Sequence, residues 1–310
     1  MEPSKVYFCD LHTHLGDGLP NKLKRLIKKA GIGQIDFANK YVAIKMNLGE
    51  PGNLSYLRPN YARAVADVVR ELGGKPFVTD CNTLYVGGRK NGLDHLDSAY
   101  VNGFNPFQTG CHTIIADGIK GLDEVEVPVA GGEYVKNAKI GRAIMDADVV
   151  ISLTHFKGHA MGGFGGSMKN IAIGCADGRI GKAQVHAVDD VNKPWDQWPA
   201  KEHLMETMAE SAKAVIDYFG KHIVFINVMR RMSVDCDCAG TSAAEPTIED
   251  VGILASTDLL AIDQASVDLV YQTAHNHDLV ERIESRVGMH QLEAMRSLGM
   301  GSDRYALIEV

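Results

Sequence analysis

The chain has 310 residues, of which 45% are hydrophobic and 23% charged, with 39 acidic against 32 basic side chains and a net charge of −7. Those are ordinary globular values, with length enough for one large α/β domain or two modest lobes. The negative balance argues against nucleic acid or an anionic membrane as an obligate partner.

The first residues, MEPSKVYFCD, lack the basic and apolar regions of a secretion signal. The longest apolar runs, such as Ile223–Met229, are too short to span a bilayer. Six scattered cysteines read as reduced thiols, so the cytoplasm is the expected compartment.

In chain order, Lys5–Cys9 reads as a strand and Asn21–Ala30 as an amphipathic helix closed by Gly31. Tyr41–Met46 reads as a buried strand, Tyr61–Leu72 as a helix and Lys75–Asp80 as the next strand. This rhythm predicts an α/β fold with a mixed or largely parallel sheet and helices on both faces. Asp94–Asn102 is expected as a helix, Thr113–Ala116 and Val125–Val127 as strands, Lys139–Asp146 as a helix and Asp148–Leu153 as a strand. A polar, glycine-rich stretch then runs from Thr154 to Pro199. Beyond it, Glu202–Phe219, Leu259–Thr273 and Val280–Ser297 read as helical, and Ile223–Val228, Val251–Ala255 and Tyr305–Val310 as strands. The glycine-rich stretch 154–199 divides the chain into lobes of about 1–153 and 200–310, or one sheet takes strands from both ends; both readings stand.

The chemistry concentrates between His155 and His186. This segment begins where a buried strand ends, the place where ligands settle in open α/β sheets. Extended backbone there would put His155, Lys157 and His159 on one face, a cluster costly to bury without an anion or a metal. Gly162, Gly163, Gly165 and Gly166 leave backbone N–H groups uncovered for an anionic ligand, and Lys169 and Asn170 follow them. Neither a dinucleotide fingerprint nor a P-loop is present. His159, Lys157 and Lys169 are the candidate catalytic residues, one imidazole to move protons and one lysine to act as a nucleophile if its pKa is depressed. The four glycines, Lys169 and Asn170 are the candidate cofactor-binding set. Cys236 and Cys238 stand two apart and would chelate a soft metal, with Cys175, His155 or His186 as further ligands. Nickel, iron or zinc is the expected metal.

Other residues are weaker candidates. His12 and His14 form a His-x-His pair of the kind that opens barrel-type metal hydrolases, but eight βα units cannot be counted. Asp258 reads as a helix N-cap, Asp263 as a helical residue facing a neighbour or the site. Asn47, Glu50 and Asn53, and Asp80, Cys81 and Asn82, follow strand ends and would line the same cleft.

The strings HFKGHAMGGFGGSMKNIAIGCA, KMNLGEPGN, KPFVTDCNTLY and DCDCAG with DVGILASTDLLAIDQASVDLV resemble the family called domain of unknown function 362 over nearly the whole chain. That family carries no established activity. Many members hold an inserted ferredoxin-like module with CxxCxxC motifs; here only VDDVNKPWDQWPAKEH stands at that place, without a cysteine, so the iron–sulfur insert is absent. The central segment is also similar to the lactate racemase core, which holds a nickel pincer cofactor derived from nicotinate. That resemblance implies a covalent bond to the cofactor at Lys169, nickel ligation by His186 and proton transfer by His159. The expected activity is a metal- or cofactor-dependent enzyme, an oxidoreductase or isomerase sooner than a hydrolase, or a redox-associated protein. A small anionic ligand and a redox protein are the expected partners. A non-catalytic binder of an anion or metal, and a hydrolase using His12 and His14, are the alternatives.

Overall fold

Alternation along the central strands sends successive side chains to opposite helical layers. In the computed structural model, which describes residues 2–194, 197–199 and 201–310, Val149, Ile151 and Leu153 pack to one face with Val42, Ile44, Val224 and Ile226. Val150 packs to the other with Ala43, Phe77 and Phe225. Burial of each such large side chain contributes about 1.5–3 kcal/mol, so a strand hydrophobic on both faces is held only where helices cover both.

The elements are β1 (Ser4–Cys9), α1 (Leu19–Lys29), β2 (Tyr41–Lys45), α2 (Pro59–Glu71), β3 (Lys75–Asp80), α3 (Gly92–Val101), α4 (Pro106–Thr109), β4 (His112–Ile115), β5 (Glu124–Pro128), β6 (Asn137–Gly141) and α5 (Arg142–Met145). They continue with β7 (Val149–His155), β8 (Lys157–His159), β9 (Gly163–Gly165), α6 (Ser167–Ala172), α7 (Ile180–Val185), α8 (Glu202–Phe219), β10 (Ile223–Met229), β11 (Gly252–Ser256), α9 (Leu259–Gln272), α10 (His277–Ser285), α11 (His290–Ser297) and β12 (Tyr305–Glu309).

Eight strands form one open sheet in the order β12-β1-β11-β10-β7-β2-β3-β4. All neighbours pair in parallel except β11, which runs against both β1 and β10. The fold is α/β, as the strand–helix rhythm implies. Helices α1 and α2 cover one face, and α6, α8 and α9 cover the other. The sheet takes strands from both sides of the 154–199 stretch. Two small antiparallel pairs, β5 with β6 and β8 with β9, lie outside it.

One expectation is corrected. Residues 139–146 are not one helix: Ala138 and Ile140 are buried while Lys139 is not, a period of two, and Gly141 N–H donates to the Cys175 carbonyl. Gly141 ends β6 because a side chain there would meet Cys81 Sγ at 2.5 Å. Within the 154–199 stretch, β8, β9 and most of α6 are buried. Trp195, Asp196 and Ala200, where the relatives' insert would fall, lie outside the described residues. The stretch 280–297 is largely helical, as read from the sequence, in two helices with Val287 at φ 56° between them.

Candidate functional site

Chain order reverses beside β2. The path runs outward through β3 and β4, then returns as β7 on the other flank of β2. In such sheets the crevice beyond the carboxyl ends at that reversal is the natural ligand site. A cavity of about 350 Å³ lies there, lined by Lys45, Asp80 and His155, the last residues of β2, β3 and β7. Lys157, His159, Lys169, Lys182, His186, Cys236 and Cys238 also line it.

The anion required by the basic cluster after β7 is supplied by the protein. His155 donates from Nδ1 to Asp237 Oδ1 at 2.8 Å and from Nε2 to the Arg230 carbonyl at 2.8 Å. Lys157 Nζ donates to the His155 carbonyl at 2.9 Å and lies 3.2 Å from Asp237 Oδ2, an ion pair without hydrogen-bond alignment. Burial alone would raise Asp237, yet His155 and Lys157 hold it well below the usual carboxylate range. With both nitrogens donating, His155 has no lone pair for a metal, which corrects its assignment as a ligand. Lys157 is likewise spent within this triad.

His159 and His186 are differently placed. His159 Nδ1 accepts from Gly162 N–H at 2.9 Å, so the neutral ring carries its proton on Nε2. His186 Nδ1 donates to the Lys182 carbonyl at 2.6 Å, so its Nε2 carries a lone pair. Neither Nε2 has a protein partner among the described residues. Burial pushes His159 down to about 3 and His186 down to about 4. The cavity therefore faces one N–H donor and one imidazole acceptor, both uncharged at neutral pH.

Lys169 Nζ lies 3.2 Å from Cys236 Sγ. Burial would lower the ammonium's pKa, but Cys236 and then Cys238 outweigh it and hold the charge above the usual lysine range. The Cys238 thiol holds Cys236 well below the thiol range against the cost of burial, and Lys169 adds to the effect. Cys238 is raised in turn. A depressed, nucleophilic Lys169 is thus not what folds; the pair is an ammonium beside a thiolate.

The glycines serve packing. A side chain at Gly166 would meet Asp263 Oδ1 at 2.5 Å, one at Gly163 the Gly288 Cα at 2.8 Å, and one at Gly162 the His159 ring at 3.3 Å. Gly165 alone meets only Lys169, at 3.6 Å. The N-terminus of α6, which the glycine run leaves open, is filled by Asp263 of α9. Its two oxygens accept from Ser167 N–H at 2.8 Å and Met168 N–H at 2.9 Å. Burial pushes that carboxyl up to about 6. Asn170 is a crosslink: its Nδ2 donates to the Lys45 carbonyl, Ser152 Oγ and Thr154 Oγ1, and its Oδ1 accepts from Lys45 Nζ at 2.9 Å.

The floor of the cavity is a buried charge network. Lys45 Nζ pairs with Asp80 Oδ1 at 3.0 Å, Arg89 reaches Asp80 Oδ2 at 3.3 Å, and Arg89 Nε donates to Glu50 Oε2 at 2.9 Å. Burial would raise Asp80, but Lys45, His95 and Arg89 hold it down to about 2. Burial pushes His95 down to about 3. Asn47, Asp80 and Cys81 line the cavity, as their positions after strand ends suggest. Lys45, Arg89, His95 and Lys182 were missed, because a single basic residue in a strand, turn or helix carries no local signal of its partner.

Among the described residues, no three His, Cys, Asp or Glu side chains converge closely enough to hold a metal ion. The set His155, His186, Cys236 and Cys238 is not assembled as one site. His12 and His14 are exposed on the β1–α1 connection, His12 beside Asp10, and no barrel surrounds them. No helix among the described residues is long and apolar enough to cross a membrane.

Sequence comparison finds a thylakoid-associated protein of Synechocystis sp., 28% identical over 253 residues, covering 76% of this chain and 68% of that protein. Structural comparison finds the lactate racemase apoprotein of Thermoanaerobacterium thermosaccharolyticum at a TM-score of 0.51 and 11% identity. The match covers 85% of this chain, which spans 56% of the racemase's length; it shows a shared fold. The profile of the domain of unknown function DUF362 matches residues 42–268, and the chain belongs to that family.

Proposed function

We propose that the chain is an enzyme that moves a proton at a carbon next to the carbonyl or carboxylate of a small organic anion bound in this cavity. The supporting observation is the pairing of unlike imidazoles, with His159 offering an N–H and His186 a lone pair beside the Lys169 ammonium. His186 takes the proton from carbon. The negative charge that develops on oxygen is met by the His159 N–H and by Lys169, donors fixed before the reaction begins. His159 donates a hydrogen bond without losing its proton, since its neutral ring would otherwise become an anion. A bound anion raises the pKa of His186 and strengthens it as a base. The reading falls in the isomerase class, with which the racemase-like fold agrees.

The nickel cofactor implied by that fold family fits at one point and not at the other. His186 Nε2 suits a metal donor, but Lys169 is held as an ammonium by Cys236 and has no lone pair for a covalent bond. No step is assigned to nickel here. Intact mass and elemental analysis on protein purified without oxygen check this: an unmodified Lys169 is expected, and an adduct there with stoichiometric nickel overturns it.

The activity is tested by incubating the protein in deuterium oxide with a panel of 2-hydroxy, 2-oxo and 2-amino acids and following exchange at the carbon by NMR. Exchange is expected with at least one, reduced about 10²–10⁴-fold in His186→Asn. Equal exchange in His186→Asn, or none with any acid, rules the reading out.

A further inference from the structure

The floor of the cavity holds one buried ammonium that no carboxylate contacts among the described residues. Lys182, on α7, is 5% exposed and lines the cavity, and its Nζ donates only to the Ala176 carbonyl, at 2.7 Å. Among the described residues no carboxylate lies within 4.0 Å of it. The carboxylates near it are already committed. Asp80 is shared between Lys45 and Arg89, and Glu50 answers Arg89. Asp117 accepts from Asn82 N–H and Nδ2 and from Gly178 N–H, and Asp177 accepts from the N–H groups of residues 179–181 that open α7. His95 adds no anion. Lys45 and Arg89 thus have contacting carboxylates, whereas Lys182 has none within 4.0 Å and is attracted to buried Asp117 only from farther away. A buried ammonium satisfied by one carbonyl is costly unless a further anion arrives.

This uncontacted ammonium is distinct from the Lys169 end of the cavity. Lys169 has Cys236 as its counter-charge, and its field reaches His159, Cys236 and Cys238. The field of Lys182 reaches Asp80, Cys81, His95, Asp117 and Cys175 instead. His186 alone of the two imidazoles feels both lysines, which places it between the two ends.

We infer that Lys182 is the anchor of an oxyanion subsite that holds a carboxylate or phosphate group of the ligand, leaving the ligand's other end toward His186, His159 and Lys169. The inference rests on the cavity being a ligand site, as argued above. It adds that the ligand carries its fixed negative charge away from the reacting end.

Thermal unfolding is followed at low salt while inorganic phosphate and acetate are titrated separately into the wild type, Lys182→Met, Lys182→Arg and Lys169→Met. One or both anions should raise the melting temperature of the wild type and of Lys169→Met in a saturable way; which one does identifies the group held. Lys182→Met should melt higher than the wild type without anion, because an unanswered charge has gone, and should lose at least tenfold in apparent affinity. Lys182→Arg should recover most of it and also shows that the position tolerates change. Binding unchanged in Lys182→Met, binding lost only in Lys169→Met, or no saturable shift by either anion overturns the inference. Lys182-dependent binding without deuterium exchange would sink the catalytic reading and leave this one standing.

Discussion

His155 and Asp237 lie 2.8 Å apart across 82 residues of sequence, and that bond converts an apparent metal ligand into one half of a buried ion pair. Asp237 also answers Lys157. Removing it leaves two buried cations with no counter-charge, so Asp237→Ala should lose about 3–5 kcal/mol of stability. Asp237→Asn, which keeps one acceptor for His155, should lose less. Urea unfolding measures both, and an unchanged midpoint in Asp237→Ala would show that the triad does not hold the loop after β10.

His95, His159 and His186 are pushed by burial from 6.5 to about 3, 3 and 4. A lowered histidine pKa means that the unfolded chain binds the proton first. Each ring therefore contributes stability that is full above pH 6.5 and lost as pH falls toward its folded value. Carbon-13 NMR of labelled histidine should show three rings that stay neutral from pH 7.5 to pH 5. Three rings titrating near 6.5 would mean that the cavity is open to water.

Asp263 fixes the first turn of α6, the helix that carries Lys169 and Asn170. Asp263→Ala leaves the Ser167 and Met168 N–H groups without an acceptor and should cost about 1–3 kcal/mol. Gly166→Ala should destabilise through the same contact, because the new Cβ stands 2.5 Å from the carboxylate. Calorimetry on the two single variants and the double variant checks the coupling. In the double variant the losses should fall short of their sum; simple addition would show that the contact is not shared.

Cys236 Sγ accepts from Lys169 Nζ at the cavity wall and is held well below the usual thiol range, whereas Cys238 is raised. Iodoacetamide at pH 7 should therefore label Cys236 ahead of Cys238. Lys169→Met should slow that labelling about tenfold or more, one pKa unit being a factor of ten in thiolate at fixed pH. Peptide mass spectrometry reads the site, and labelling that ignores Lys169 would contradict the ion pair.

How much of this was legible follows from the range of each signal. β7 and β10 declare themselves through continuous apolar runs, and the placement of a site after Leu153 needs only the rule about strand ends. Lys139 misleads because strand β6 is short and its partner β5 lies outside the main sheet. The glycine run reads as a cradle for an anionic ligand, whereas the carboxylate at the start of α6 is the protein's own Asp263, 96 residues from Ser167 and invisible to local sequence. In Cys236-Asp237-Cys238 the eye goes to the sulfurs, while the carboxylate between them closes the charge balance. Lys182 has no pattern around it, and only the assembled cavity reveals that no carboxylate contacts it.

Asp237 and Asp263 reach the central segment from two separate later stretches of the chain. Residues 155–186 transplanted onto another scaffold would arrive with cations that lack Asp237 and a helix start that lacks Asp263. The segment is no portable module, and attempts to minimise the protein should keep the strand β10 loop and helix α9 even though neither carries the proposed proton-transfer imidazoles.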